Sequence, residues 1–157
     1  MASAAVLGVQ GVSFAVDSIP STVVLIKEEA LQQQNSLKKL NLQIDLAEKD
    51  IKAYGLQKSS LEKEIVSRLS KAHISVTNES KEPKLLLRIT SKPADDIIAT
   101  IVQFSFFESG TFDKNRSDKM AITWSEGALL TSKKENVSKD VNAAVDRMVD
   151  NFVREFT

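Results

Sequence analysis

Residues 40–76 read LNLQIDLAEKDIKAYGLQKSSLEKEIVSRLSKAHISV, and the change of period inside this stretch decides the fold. Leu40, Leu42, Ile44 and Leu46 alternate with Asn41, Gln43, Asp45 and Ala47. A period of two puts every apolar side chain on one side of an extended chain, which predicts a half-buried strand. The segment from Lys49 to Gly55 reads as a connection. Beyond it the spacing changes, because Leu61, Ile65, Leu69 and Ala72 form one stripe at helical period. Ser59, with Glu62 three residues on, predicts a capping box at the start of that helix. The helix stops near His73, and Ile74-Ser75-Val76 returns to extended chain. A strand, a helix and a strand in this order predict two strands of one sheet, parallel or nearly adjacent, with a right-handed crossover.

Working outward toward the C-terminus, the polar run from Asn78 to Pro83 is a turn, and Leu85, Leu87 and Ile89 alternate in the next strand. Pro93 and Asp95-Asp96 mark the following turn. Ile97 to Phe107 (IIATIVQFSFF) is apolar on both sides, with Ile98, Val102, Phe104 and Phe106 on one and Ile97, Ala99, Ile101 and Phe107 on the other. Two-sided apolarity implies a strand covered on both faces over part of its length. Asp113 to Lys119 is a polar turn, Met120 to Trp124 a fifth strand and Gly127 to Asn136 a loop. The chain closes on an amphipathic helix carrying Val141, Ala144, Val145, Met148, Val149, Phe152, Val153 and Phe156 on one face. Ser138 or Asn136 can cap its start, and Arg154 suits the negative end of its dipole.

The order is β-α-β-β-β-β-α. It predicts an α+β fold, a two-layer α/β sandwich in which a mixed or antiparallel sheet of four to five strands carries two helices on one face. Residues 37–157 form this single domain.

The N-terminal residues differ in kind. Met1 to Ala15 (MASAAVLGVQGVSFA) carry no charge, and Ser13-Phe14-Ala15 puts small residues at the two positions a signal peptidase reads. Residues 1–15 are therefore read as a signal peptide, with mature protein beginning at Val16. No lysine or arginine follows Met1, which a start assigned downstream of the true one would explain; the alternative is a loosely packed N-terminus. Fifteen weakly apolar residues fall short of the ~20 needed to span a bilayer, and a chain without cysteine has no thiol for lipid attachment. Residues 16–36, with STVVLI at 21–26 and KEEALQQQNS at 27–36, carry no assignment.

An ordered set of motifs carries a resemblance. Tyr54-Gly55-Leu56, Leu61 and Leu69, and Ala72-His73-Ile74-Ser75-Val76 follow the pattern G-L-x-x-x-x-L … L-x-x-A-G-I-x-V. Glu82-Pro83-Lys84-Leu85-Leu86-Leu87 is similar to its P-x-L-x-V strand, and Ala121-Ile122-Thr123-Trp124-Ser125 to its A-T-T-W strand. Over residues 37–156 the chain resembles a diffuse set of small exported bacterial proteins of uncharacterised function. His73 stands where that pattern has glycine, and Ile122 where it has its first threonine. The layout is also similar to periplasmic assembly lipoproteins and to the amino-terminal domain of TolB-type proteins, a likeness of fold alone. The resemblance implies export and supplies no catalytic residues.

Chemistry is sparse. Twenty-one basic residues balance twenty-one acidic ones, and lysine pairs such as Lys38-Lys39 and Lys133-Lys134 are too diluted for a nucleic-acid groove. His73 is the sole histidine, so multi-histidine metal sites are excluded, and its place past a helix reads as a cap. Asp113 to Asp118 only faintly matches a calcium loop, with Asp118 at the glycine position and Trp124 where a bidentate glutamate belongs. Asp95-Asp96 reads as a turn. Asp146 and Asp150, one helical turn apart, read as balanced by Arg147 and Arg154. Trp124 reads as core. No glycine-rich phosphate loop occurs, and neither a cofactor nor a metal is expected.

The expected function is a non-enzymatic exported module, periplasmic or secreted, that binds through one sheet face. The candidate interaction face is Ile97, Ala99, Ile101 and Phe107, because two single-striped helices can bury only one side of the sheet. Its occupant is an unidentified protein partner, a second copy or an apolar, lipid-like ligand; alternatively residues 16–36 fold over it. Nucleic acid and membrane spanning are not expected. The rivals are a small cell-envelope hydrolase, which would need a nucleophile and base gathered from Ser, Asp and Glu, and a helical adaptor with residues 27–72 as one helix.

Overall fold

The computed structural model describes residues 37–111 and 118–157. The expected signal peptide, the segment 16–36 and most of the polar turn expected from Asp113 to Lys119 lie outside the described residues; Asp118 and Lys119, which that turn included, instead belong to a strand, paired with Thr111 and Gly110. The chain divides after Ser36, and the unit Leu37–Thr157 is the one described below.

Its elements are β1 (Lys39–Leu46), α1 (Glu48–Tyr54), α2 (Lys58–Lys71), β2 (Ser75–Val76), β3 (Lys84–Ala94), β4 (Ile97–Thr111), β5 (Asp118–Ser132), a 3-10 turn (Lys134–Asn136) and α3 (Val137–Phe156). The strands form one five-stranded sheet in the order β2-β1-β3-β4-β5. β1 runs parallel to both β2 and β3, while β3, β4 and β5 are antiparallel neighbours. The fold is α+β with an open mixed sheet, and the helices cover one of its two faces.

Ladder partners share a face, so the register sorts the side chains. Leu85, Leu87 and Ile89 of β3 pair with Phe106, Phe104 and Val102 of β4. All six are buried, as are Leu40 and Ile44 of β1. Onto this row α2 brings Leu61, Ile65 and Leu69, and α3 brings the stripe from Val137 to Phe156. The core is densest around Phe106, whose ring centroid lies 5.1 Å from that of Phe152 and 4.8 Å from that of Phe156, both edge-on. Trp124 approaches Phe152 at 5.2 Å and packs against this core as expected.

Several local features depart from the expectations. The segment after β1 is a third helix rather than a connection: α1 is closed by Gly55, whose φ of 69° is the left-handed geometry glycine adopts without cost. Ser59 is no cap. The chain leaves Gly55 through the buried Leu56, so helical geometry begins at Lys58 and Gln57 is the N-cap, its carbonyl accepting from the Ser60 and Leu61 amides. No side chain closes either that cap or the Asn136 cap of α3. β3 continues through Pro93 to Ala94, and only Asp95-Asp96 turns, with Asp95 at φ 54°. The expected loop at 127–136 is extended as far as Ser132, because Gly127 to Ser132 remain paired with β4.

The His73 position does end α2, and by a specific geometry. Its φ is 63°, its amide donates to the Ser70 carbonyl, and the Ile74 amide donates to the Leu69 carbonyl. This is the paired-bond termination in which the residue past the cap is usually glycine, and the buried Ile74 and Leu69 belong to the same core.

Candidate functional site

The sheet face opposite the helices, which no described element covers, is built by the side chains that alternate with the core rows; whether residues 16–36 fold over it lies outside the described residues. On β3 these are Lys84, Leu86, Arg88, Thr90 and Lys92, and on β4 Ile97, Ala99, Ile101, Gln103, Ser105 and Phe107. From β5 come Leu129, opposite Ile101, and Ile122, opposite Phe107. The expected residues Ile97, Ala99, Ile101 and Phe107 therefore share this face. Ile97 and Ile101 are 39% and 53% exposed, while Ala99 and Phe107 are half-buried.

The largest exposures belong to residues that sequence reasoning missed, Leu129 at 69% and Ile122 at 58%, with Met120 close behind. Leu129 was hidden in a presumed loop. Ile122 was read in the same short strand as Trp124, two residues away, so simple alternation would put both on one side, but a bulge at Thr123 lets Phe106 pair with Trp124 and Phe107 with Ile122. One extra residue reverses the alternation, sending Trp124 inward and Ile122 outward.

The face is also divided by charge. Lys84, Arg88 and Lys92 line β3, and Arg88 meets Asp45 of β1 at 3.1 Å. Across the ladder from this row lie Ile101 and Leu129, and between the two is a concavity of about 350 Å³. Arg88, Thr90 and Lys92 of β3 line its polar side, and Ala99 and Ile101 of β4 with Leu129 of β5 its apolar side, with Gln103 at the end beside Arg88. Sequence reading did not single out this row; its signal was the alternation of Lys84, Arg88 and Lys92 with the apolar residues of β3.

Other chemistry-bearing groups lie elsewhere. Asp50, Ser91 and Thr100 are buried on the helix side, where the Ser91 amide donates to Asp50 Oδ2 at 3.3 Å and the Ser91 and Thr100 hydroxyls are 3.0 Å apart. Ser132 donates to Asp140 in the same layer. Asp146 and Asp150 are paired not with Arg147 or Arg154 but with Arg68 of α2, at 3.2 and 2.7 Å, and Arg68 also holds Glu64 at 2.9 Å. Hydrogen bonds to Asp150 and Glu64 hold the Arg68 guanidinium above its ordinary value. Loss of water raises the Asp146 carboxyl, against the pull of Arg68 and with help from Glu64 and Asp150. This cluster ties α2 to α3. His73 is exposed at the end of α2. Among the described residues no three metal-binding side chains come together, and no helix is long and apolar enough to cross a membrane.

No protein-family model matches the chain, and no curated protein matches it. Among solved structures it is similar to a minor lipoprotein from Acinetobacter baumannii, at 13% identity over 76% of this chain and 90% of that one, with a TM-score of 0.40. It is similar to a protein described as uncharacterized, at 12% identity over 79% and 96% of the two chains and a TM-score of 0.46. It is also similar to PelC from Paraburkholderia phytofirmans, solved as a dodecamer, at 12% identity over 74% and 87% and a TM-score of 0.44.

Proposed function

We propose that this chain is an exported, non-enzymatic binding module, periplasmic or secreted, that engages its partner through the open face of its sheet. The observation that carries the reading is the cluster of large apolar side chains left in water there: Ile101 and Leu129 directly opposite one another, with Ile97 and Ile122 along the same surface. Each large side chain kept in water forgoes about 1.5–3 kcal/mol of burial, and adjacent apolar exposure such as that of Ile101 and Leu129 marks contact surfaces. The export part rests on the uncharged, small and apolar residues 1–15.

Against a hydrolase stands the burial of the cluster that gathers one carboxylate with two hydroxyl residues. Asp50, Ser91 and Thr100 are each at least 98% buried, so no substrate reaches them without unfolding the layer above.

Two measurements test the proposal. Fractionation and N-terminal sequencing of protein expressed from the native gene should find Val16 first, outside the cytoplasm; intact Met1 on cytoplasmic protein would reject export. An Ile101→Asp, Leu129→Asp double variant should keep the circular dichroism spectrum and lose most binding of a hydrophobic dye. Unchanged dye binding would reject the face.

A further inference from the structure

We infer that the occupant of the open face is a single-chain anionic amphiphile, its alkyl chain over Ile101 and Leu129 and its head group held by Arg88 and Lys92. This rests on the open face being the binding surface and adds the chemistry of what binds. The concavity of about 350 Å³ lies at the small end of the ~300–1,000 Å³ range of ligand sites, suited to one chain rather than a bulky lipid.

Its polarity is graded in one direction. Arg88, Thr90 and Lys92 lie on β3, Ile101 pairs with Thr90 on one side, and Leu129 pairs with Ile101 on the other. With strands about 4.8 Å apart, the cationic row and the far apolar side are separated by roughly 10 Å. Head and tail of one molecule can therefore be satisfied together.

The polar side is chemically suited to an oxyanion. A guanidinium and an ammonium flank the Thr90 hydroxyl in a single row, giving a planar bidentate donor, a point charge and a neutral donor. Asp45 is the carboxylate bonded to this row, and both partners of the Arg88–Asp45 pair are 56% exposed. Such a pair is weak in water, so an incoming anion competes for Arg88 readily. Asp95 and Asp96 stand beyond Lys92 in the hairpin turn and do not line the concavity. Charge also argues against a second copy. Two such faces apposed would bring like cationic rows into one desolvated interface, which is costly.

The test is calorimetric titration of the full chain with dodecyl phosphate below its micelle concentration, beside dodecyl maltoside and dodecyltrimethylammonium of the same chain length. Sedimentation velocity is run in parallel. Dodecyl phosphate should bind with one-to-one stoichiometry and at least about tenfold more tightly than either comparator, the scale of one charge-assisted hydrogen bond. Arg88→Glu and Lys92→Glu should each weaken it by a similar factor and leave the maltoside unchanged, while Ile101→Asp should weaken both. Equal affinity for the three heads, or indifference to the two charge reversals, overturns the anionic assignment and leaves the face-binding reading standing. If Ile101→Asp changes no probe, both fall together. A dimer that Ile101→Asp dissociates, with no dodecyl phosphate bound, makes a second copy the occupant and overturns the inference.

Discussion

Phe152→Ala is the most direct test of how the closing helix is held. The ring is fully buried and lies 5.1 Å from Phe106, 5.2 Å from Trp124 and 4.6 Å from Phe156. Truncating a buried phenylalanine costs about 3–5 kcal/mol, more where the surroundings cannot collapse into the space. Here three aromatic neighbours each lose a contact worth roughly 0.5–1.5 kcal/mol beyond burial, and two of them are anchored on strands. The upper end, about 5 kcal/mol, is therefore expected. Against a typical total of about 5–15 kcal/mol that is a large fraction. With a urea slope of about 2 kcal/mol per molar, the midpoint should fall by roughly 2.5 M. Trp124 is the only tryptophan, so its fluorescence reports unfolding from beside the substituted site. Far-UV circular dichroism supplies an independent probe. Phe152→Leu retains much of the volume and should lose less than half as much, which keeps the test usable if the alanine variant does not fold. A midpoint shift below about 0.5 M, near 1 kcal/mol, would refute the packing of α3 on the sheet through this ring.

Other substitutions separate backbone, surface and electrostatic effects. His73→Gly should be neutral or raise stability by up to about 1 kcal/mol in a thermal melt, because glycine removes the Cβ penalty at φ 63° while loosening the unfolded chain. Gly55→Ala should cost about 1 kcal/mol or more by the same assay; nothing lies within 4 Å of the added carbon, so the whole loss is conformational. Ile101→Asp, at an exposed site, should move stability by no more than about 0.5 kcal/mol, in contrast to its effect on binding. Asp146 is held above its ordinary value, so the native state keeps the proton longer than the unfolded chain. Its ionisation therefore lowers stability as pH rises through the carboxylate range, and Asp146→Asn should flatten that part of a pH series of melts.

Period and punctuation explain what was legible. β1, α2 and α3 each carry a long, regular apolar repeat, and their placement follows from it alone. So does the assignment of Ile97, Ala99, Ile101 and Phe107 to one side of β4, since a strand's alternation is geometric. α1 was not legible because seven residues give too few turns for a stripe, and its buried side chain, Asp50, is a carboxylate that sequence reasoning sends to solvent. The second half of β5 was missed for a related reason. Gly127 reads as a breaker, yet an added Cβ there meets only the Val102 carbonyl oxygen, at 3.7 Å, in ordinary contact, and ladder pairing overrides the local preference. The charge division of the open face needed the β3–β4–β5 register, which no single segment contains.

The irregularity at Thr123 makes β5 a strand with two parities. Before it, even-numbered Met120 and Ile122 look outward; after it, even-numbered Trp124, Ala128 and Leu130 look inward. Removing Thr123 would join Ile122 directly to Trp124 and restore simple alternation, with Ile122 still outward and Trp124 still inward, whereas removing one residue from a regular stretch inverts one side of it. A change of one residue is thus tolerated at this point, where in a regular stretch it would turn a face over. A relative that lacks the extra residue should therefore align with a gap of one at 123 and an unchanged apolar pattern at 120–122, whereas inverted hydropathy there without a gap would mark a chain whose β5 has lost the bulge and moved the exposed half of its surface to the other side.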